Sequence, residues 1–378
     1  MALLFADDFQ QMKKNSSNPS NLGSAGFSYV PTFAAGIAAA GFDLPNTRYN
    51  GNLYSSVNYD DVLNCLIVQY TLGDIYTAGA QGLSRTLKYS GDTLFYNLNF
   101  LINTTQYAVI QLVGQILAIG SDVLSLLANG NYALNGTDTG QQAVFTGAPV
   151  LQYIELVITK TDVSFYFSNT LILKQTRSIT NMPTTSLLGV QNSNTGLQVY
   201  SLIIADNADG NIKTRIGRKV AKSVSIDSIK SQSATLEPAT GVTAVSALNR
   251  LTQDLYADTG GLLLGNIYSS VEYSKNTFTG AKPAGSSPRG VVANVQMKRR
   301  SPAGDGMTAV PYILYNGAEI PGKAYVPTST WKSFSIELPI VLGAPDFTTF
   351  DFGYTIDYAN VDKLFISNTD GVAVYGSD

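Results

Sequence analysis

The chain has 378 residues, with 24 Lys and Arg against 27 Asp and Glu, for a net charge of −3. It contains no histidine and one cysteine. These absences remove Ser-His-Asp and Cys-His catalysis, imidazole metal sites, internal disulfides and cysteine-cluster metal centres, and the acidic balance speaks against a polyanion-binding chain.

In chain order, the opening Met1–Phe9 is apolar until Asp7 and Asp8 interrupt it, and it lacks the basic start of a secretory signal. Ser16–Ser28 reads as a polar loop. The stretch Thr93–Ser121 is uncharged but carries Asn97, Asn99, Asn103, Gln106, Gln111 and Gln115. No run of about 18 apolar residues exists, so no membrane insertion is expected. Tyr107–Ile119 predicts two strands pivoting near Gly114. Alternation with period 2 recurs downstream. Val163, Phe165 and Phe167 alternate with Ser164, Tyr166 and Ser168; Val291, Ala293, Val295 and Met297 with Val292, Asn294, Gln296 and Lys298. Phe334, Ile336 and Leu338 alternate with Ser333, Ser335 and Glu337; Phe350, Phe352, Tyr354 and Ile356 with Asp351, Gly353, Thr355 and Asp357. One greasy face and one polar face is the signature of a half-buried antiparallel strand. The pairs Asn50-Gly51, Asn129-Gly130, Asn135-Gly136, Asp209-Gly210, Asn316-Gly317 and Asp370-Gly371 predict tight turns, because these residues tolerate positive φ. Helical spacing is confined to Ala244–Leu255, with Val245, Leu248, Leu251 and Leu255 on one face. The polar, Pro-containing stretch Ser231–Gly241 separates two strand-rich blocks. The expectation is an all-β chain of two tandem antiparallel β-sandwiches, residues 1–231 and 232–378.

The candidate chemistry is sparse. Glycoside hydrolysis needs two carboxyl groups about 5–10 Å apart across a cleft. The five glutamates (Glu155, Glu237, Glu272, Glu319 and Glu337) are far apart in sequence, and Asp7-Asp8 and Asp60-Asp61 would point to opposite sides of a strand. A glycan hydrolase is therefore the weakest of the functional classes. Asp206, Asn207 and Asp209 form the most metal-like segment, since oxygen-rich loops suit calcium. Ala208 stands where a ligand belongs, so an Asx-type turn is the stronger reading and no cofactor is expected. Lys213, Arg215, Arg218, Lys219 and Lys222 form the densest basic run, and Lys298, Arg299 and Arg300 a second. Neither has the interleaved aromatics of a nucleic-acid reader. Followed by Val220, Val224 and Ile226, the first run predicts a charged strand at a sandwich margin, where lysines block stray pairing, or a contact between subunits. Tyr49, Tyr54 and Tyr59, and Tyr325 with Trp331, are candidates for stacking on sugar rings.

Several segments together resemble one group. Leu3–Phe9 is similar to the opening strand of concanavalin A/laminin-G-like jelly rolls found in bacteriophage tail and minor structural proteins. Leu83–Ser90 resembles the strand before the first bend. Tyr153–Ile158 followed by Val163–Asn169 resembles the long strand plus hairpin. Leu202–Asp206 and then Ile216–Val220 resemble the closing aspartate turn and Gly-x-x-Val strand. The sequence departs from the pattern at Val150, Leu151 and Gln152, where a Trp is usual. The resemblance implies a non-enzymatic virion component of a tail, fibre, neck or capsid surface, assembled in the bacterial host cytoplasm. Its implied partners are further copies of itself and other virion proteins. A carbohydrate- or receptor-binding module facing host surface glycans is the alternative.

Overall fold

The computed structural model describes residues 3–7, 42–43, 48–49, 52–53, 57–60, 65–69, 81–87, 89–104, 114–144, 151–190, 195–208, 215–233, 236–237, 243–248, 262–264, 271–279, 286–299, 308–315, 317–322, 324, 326–328, 332–338, 349–357 and 364–377. The fold is all-β, an antiparallel sandwich architecture of jelly-roll type. Its one described helix is Ala244–Leu248, where the Thr243 hydroxyl accepts a hydrogen bond from the Ser246 N–H as an N-cap. The chain forms two compact units, the first ending at Val220 and the second beginning at Ala221.

The first unit faces an eight-stranded sheet against a seven-stranded one. The broad sheet runs in the order Thr170–Thr176, Asp162–Phe167, Gln152–Thr159, Thr93–Thr104, Thr195–Asp206, Cys65–Gln69 and Val57–Asp60. Leu3–Asp7 also pairs antiparallel with Thr195–Asp206. The narrow sheet runs Thr137–Gln142, Asn131–Leu134, Asp122–Leu126, Gly114–Ile119, Thr185–Val190, Gln81–Thr86 and Phe42–Asp43. Asn135 and Gly136 take φ of 51° and 79°, and Ser168 and Asn169 take 46° and 73°. These are two-residue hairpins with the left-handed geometry that matches strand twist. The first was legible as Asn-Gly; the second has no glycine to announce it.

Register assigns the faces. Ile154, Leu156 and Ile158 stand beside Leu98, Tyr96 and Leu94 on one side and Phe167, Phe165 and Val163 on the other. This is the inner face. Phe165 meets Tyr132 of the narrow sheet, with ring centroids 5.6 Å apart. The Tyr132 hydroxyl donates to Gln152 Oε1 across the sandwich at 2.6 Å. Asp122 and Arg177 form a buried ion pair at one edge, where Arg177 also donates to the Thr159 carbonyl.

The second unit contains a ten-stranded sheet in which Lys219–Gln232 lies between Leu364–Ser377 and Val271–Thr279. The basic strand is therefore internal, which corrects the expectation of a margin. Its lysines do not guard an edge: Lys230 reaches along the sheet face to Asp351 at 2.8 Å, and Asp351 also accepts the Thr277 hydroxyl at 2.7 Å. Asp370-Gly371 is not a turn. Leu364–Ser377 is one 14-residue strand, and the chain beyond Gly371 stays paired with Ser286–Arg299 instead of folding back. The register shift between Asn294 and Gln296 absorbs the irregularity as a bulge. Phe352, Tyr354 and Ile356 are fully buried, as their alternation predicts.

Phe165 has no exposed surface and links the two sheets of the first unit. Phe165→Ala should lower that unit's stability by about 3–5 kcal/mol, read as a shifted midpoint in urea unfolding followed by near-ultraviolet circular dichroism.

Candidate functional site

The other face of the broad sheet is not solvent. Phe95, Asn97, Glu155, Ile203 and Ala205 stand on it and have no exposure. Tyr153, Glu155 and Val157 alternate with the inward Ile154, Leu156 and Ile158, so strand pleat alone aims the Glu155 carboxylate outward. Register sets Glu155 beside Asn97 on one neighbouring strand and Tyr166 on the other.

Residues 215–219, which run into the strand Lys219–Gln232, cross this face as a strap. Glu155 Oε1 accepts the Ile216 N–H at 2.7 Å, and Oε2 accepts Arg215 Nε at 3.1 Å and the Gly217 N–H at 3.3 Å. The Arg215 guanidinium lies 4.0 Å from the Tyr166 ring centroid, a cation–π contact worth about 0.5–2 kcal/mol. Asn169, the second residue of the Ser168-Asn169 hairpin, takes Arg215 Nη1 on its carbonyl at 2.7 Å and the Arg218 N–H on Oδ1 at 3.0 Å. The Asn97 and Asn99 amides donate to the carbonyls of Gly217 and Lys219, each at 2.9 Å. Asn97 also donates to the Tyr153 hydroxyl at 2.6 Å. Gly217 sits at φ 73° with open space where a Cβ would go, so glycine is needed there for backbone conformation and not for room.

Burial pushes the Glu155 carboxyl above the usual glutamate range, opposed by the Ile216 N–H and the Arg215 charge. A buried carboxylate is tolerable only when paired and hydrogen-bonded, and losing one partner of such a pair typically costs about 3–5 kcal/mol. Burial likewise raises the Tyr153 hydroxyl. The site is a seat for an extended peptide, with a charged anchor, a stacking ring and donors and acceptors for the main chain.

Sequence reasoning missed this seat. The signal available was one glutamate inside the otherwise apolar run Tyr153–Ile158, on the same side as Tyr153 and Val157. A charge there demands a cation from elsewhere in the chain. Arg215 was read only as part of a basic run.

The metal-like segment behaves as a turn anchor where it is described. Asp206 Oδ2 accepts the N–H groups of Ser90 and Gly91 at 3.0 and 3.1 Å, and Oδ1 that of Ala208 at 3.0 Å. Asn207 Oδ1 accepts those of Asp92 and Thr93 at 3.0 and 3.1 Å. Asp209 lies outside the described residues. Tyr49 and Tyr59 fall in the strands Arg48–Tyr49 and Val57–Asp60. Their side chains, with all of Tyr54, Tyr325 and Trp331, lie outside the described residues, as do Lys213 and Arg300. No described helix is long and apolar enough to cross a membrane.

No family model matches the sequence, and no curated protein matches it. Among solved structures, a sialidase is similar at 9% identity and a TM-score of 0.36, over 55% of this chain and 19% of the sialidase. The chain thus spans about a fifth of that enzyme's length. The alginate lyase AlgAT5, of polysaccharide lyase family 7, is similar at 12% identity and a TM-score of 0.32, over 42% of this chain and 88% of the lyase. CBM29_1, a family 29 carbohydrate binding module from Piromyces equi, is similar at 10% identity and a TM-score of 0.23, over 42% of this chain and 91% of the module. These likenesses concern strand arrangement.

Two predictions follow from opposite pKa directions. Glu155 is raised, so its contribution to stability is present below the ordinary glutamate value and fades as pH rises through the raised value. Asp138 is lowered, first by the Gly140 N–H and then by Asn129 and Asn131, so its contribution is present above the ordinary aspartate value and fades as pH falls through the lowered one. Thermal melts across mildly acid pH should show the wild type losing ground to Glu155→Gln as pH rises. Asp138→Asn should instead lose most against the wild type at neutral pH and converge with it in acid. Separately, Arg215→Ala should destabilise the first unit by about 3–5 kcal/mol and open the strap to trypsin at Arg218, read by mass spectrometry of the digest.

Proposed function

We propose that this chain is a non-enzymatic structural protein of the bacteriophage virion, part of a tail, fibre, neck or capsid surface, that works by touching other copies and other virion proteins. One observation carries the reading. The buried carboxylates Glu155, Asp122 and Asp206 are each held by donors of their own chain: Arg215 with two N–H groups, Arg177, and the turn N–H groups. A general acid or base must reach a substrate proton. These groups instead fix the path of the backbone. The sequence adds the missing imidazoles, the low charge and the abundant tyrosine that suit contact surfaces, and the strand-by-strand resemblance to phage jelly rolls supplies the setting.

A second reading is a carbohydrate- or receptor-binding module on the same kind of particle, working through Tyr49, Tyr54, Tyr59, Tyr325 and Trp331. Its support is the tyrosine content and the sandwich fold. Mass spectrometry of purified particles carrying the gene should find the chain as a stoichiometric component, and antibody labelling should place it at one site on the particle. Its absence from intact particles would sink the structural reading. Glycan-array binding lost on Tyr→Ala substitution would move the assignment to the second.

A further inference from the structure

We propose that the seat on the outer face of the broad sheet is a self-recognition site, and that the strap of a second copy can fill it in place of the chain's own. The inference deepens the reading of this protein as a contact-making structural component, on which it rests, and names the contact.

The recognition is complete within a few residues. The main-chain N–H groups of Ile216, Gly217 and Arg218 are each taken by a side chain of the seat, and the carbonyls of Gly217 and Lys219 are each met by an asparagine amide. The Arg215 side chain adds the ion pair to Glu155, the Asn169 contacts and the Tyr166 face. The seat therefore selects an extended segment with arginine first and a left-handed glycine two residues later. Within the described residues that occupant is the strap itself, so the partner that fits best is another copy of this chain.

Exchange also needs no new chemistry. A strap from a second copy makes the same contacts in the seat, so bound and exchanged forms differ mainly in chain connection and concentration. Exposure varies along the strap: Arg218 is exposed and Arg215 half-buried, while Ile216 is buried against the seat. The chain is held independently just upstream, where Asp206 and Asn207 bind the turn at Ser90–Thr93. The strand that precedes the strap is thus held by contacts that do not involve the seat. Because the strap continues into the strand Lys219–Gln232, a copy that lends its strap is joined to its neighbour through a full ion-paired clasp. In dilute solution the tether favours the chain's own strap, since the effective concentration of a tethered segment is on the order of millimolar. At the packing density of an assembly the copies compete.

Complementation tests this. A Glu155→Ala protein keeps an intact strap and lacks the seat; an Arg215→Ala protein keeps the seat and lacks the anchor. Each full-length variant alone should sediment as it does in dilute solution. Their equimolar mixture should form dimers at least tenfold more tightly than either alone, because one native clasp becomes available only between copies. The double variant should associate with neither. Should Glu155→Ala fail to fold by circular dichroism, Tyr166→Ala serves as the seat variant, with the same pattern at smaller gain. A mixture that sediments as the sum of its parts, or a double variant that associates equally well, would overturn the inference. Either result leaves the virion assignment to its own test, since a clasp confined to one chain is compatible with incorporation into particles through other surfaces.

Discussion

A carboxylate with no solvent exposure in the middle of a sheet face has to be answered by positive charge and by N–H donors, and much of the first unit's outer layer is that answer. Glu155 is carried to its position by strand pleat, which gives it no choice of side. Burial there penalises its charge, and Arg215 and two successive N–H groups converge on it to offset part of that penalty. The demand reaches further than the pair. Gly217 must adopt a left-handed backbone for its neighbours to point the right way, and Asn169 must occupy a hairpin corner for its carbonyl to meet the guanidinium. The unit consequently has a greasy seam between its sheets and a polar seam behind the broad one.

The two seams do different jobs. Tyr132, Phe165, Leu98 and Leu156 contribute by area removed from water, a force without direction. The polar seam is directional. Each of its bonds names one donor and one acceptor, so it fixes where the chain leaves the sandwich and in which register.

Much of the architecture could be read from residue order. Alternation at Val163–Phe167 and Phe352–Ile356 assigned core faces correctly, and Asn135-Gly136 marked a hairpin. What periodicity reports is which side of a strand is greasy; it is silent about which strands lie alongside. That is why the basic run ending at Lys222, with Val220, Val224 and Ile226, suggested a margin when its strand has a neighbour on each side, and why Asp370-Gly371 suggested a reversal inside a strand held by a partner of equal length. The seat was hidden for the same reason: Glu155 and Arg215 are far apart in sequence, and only sheet topology brings them together.

The pairing of Leu3 with Ala205 and of Asp7 with Leu202 has a temporal consequence. The opening strand finds its place beside a partner that the ribosome delivers only after most of the first unit has been synthesised. Closing so long a loop is entropically expensive and slow. Until Thr195–Asp206 emerges, Leu3–Asp7 has no strand of its sheet to pair with, and an unpaired strand edge on a growing chain is exposed to mispairing.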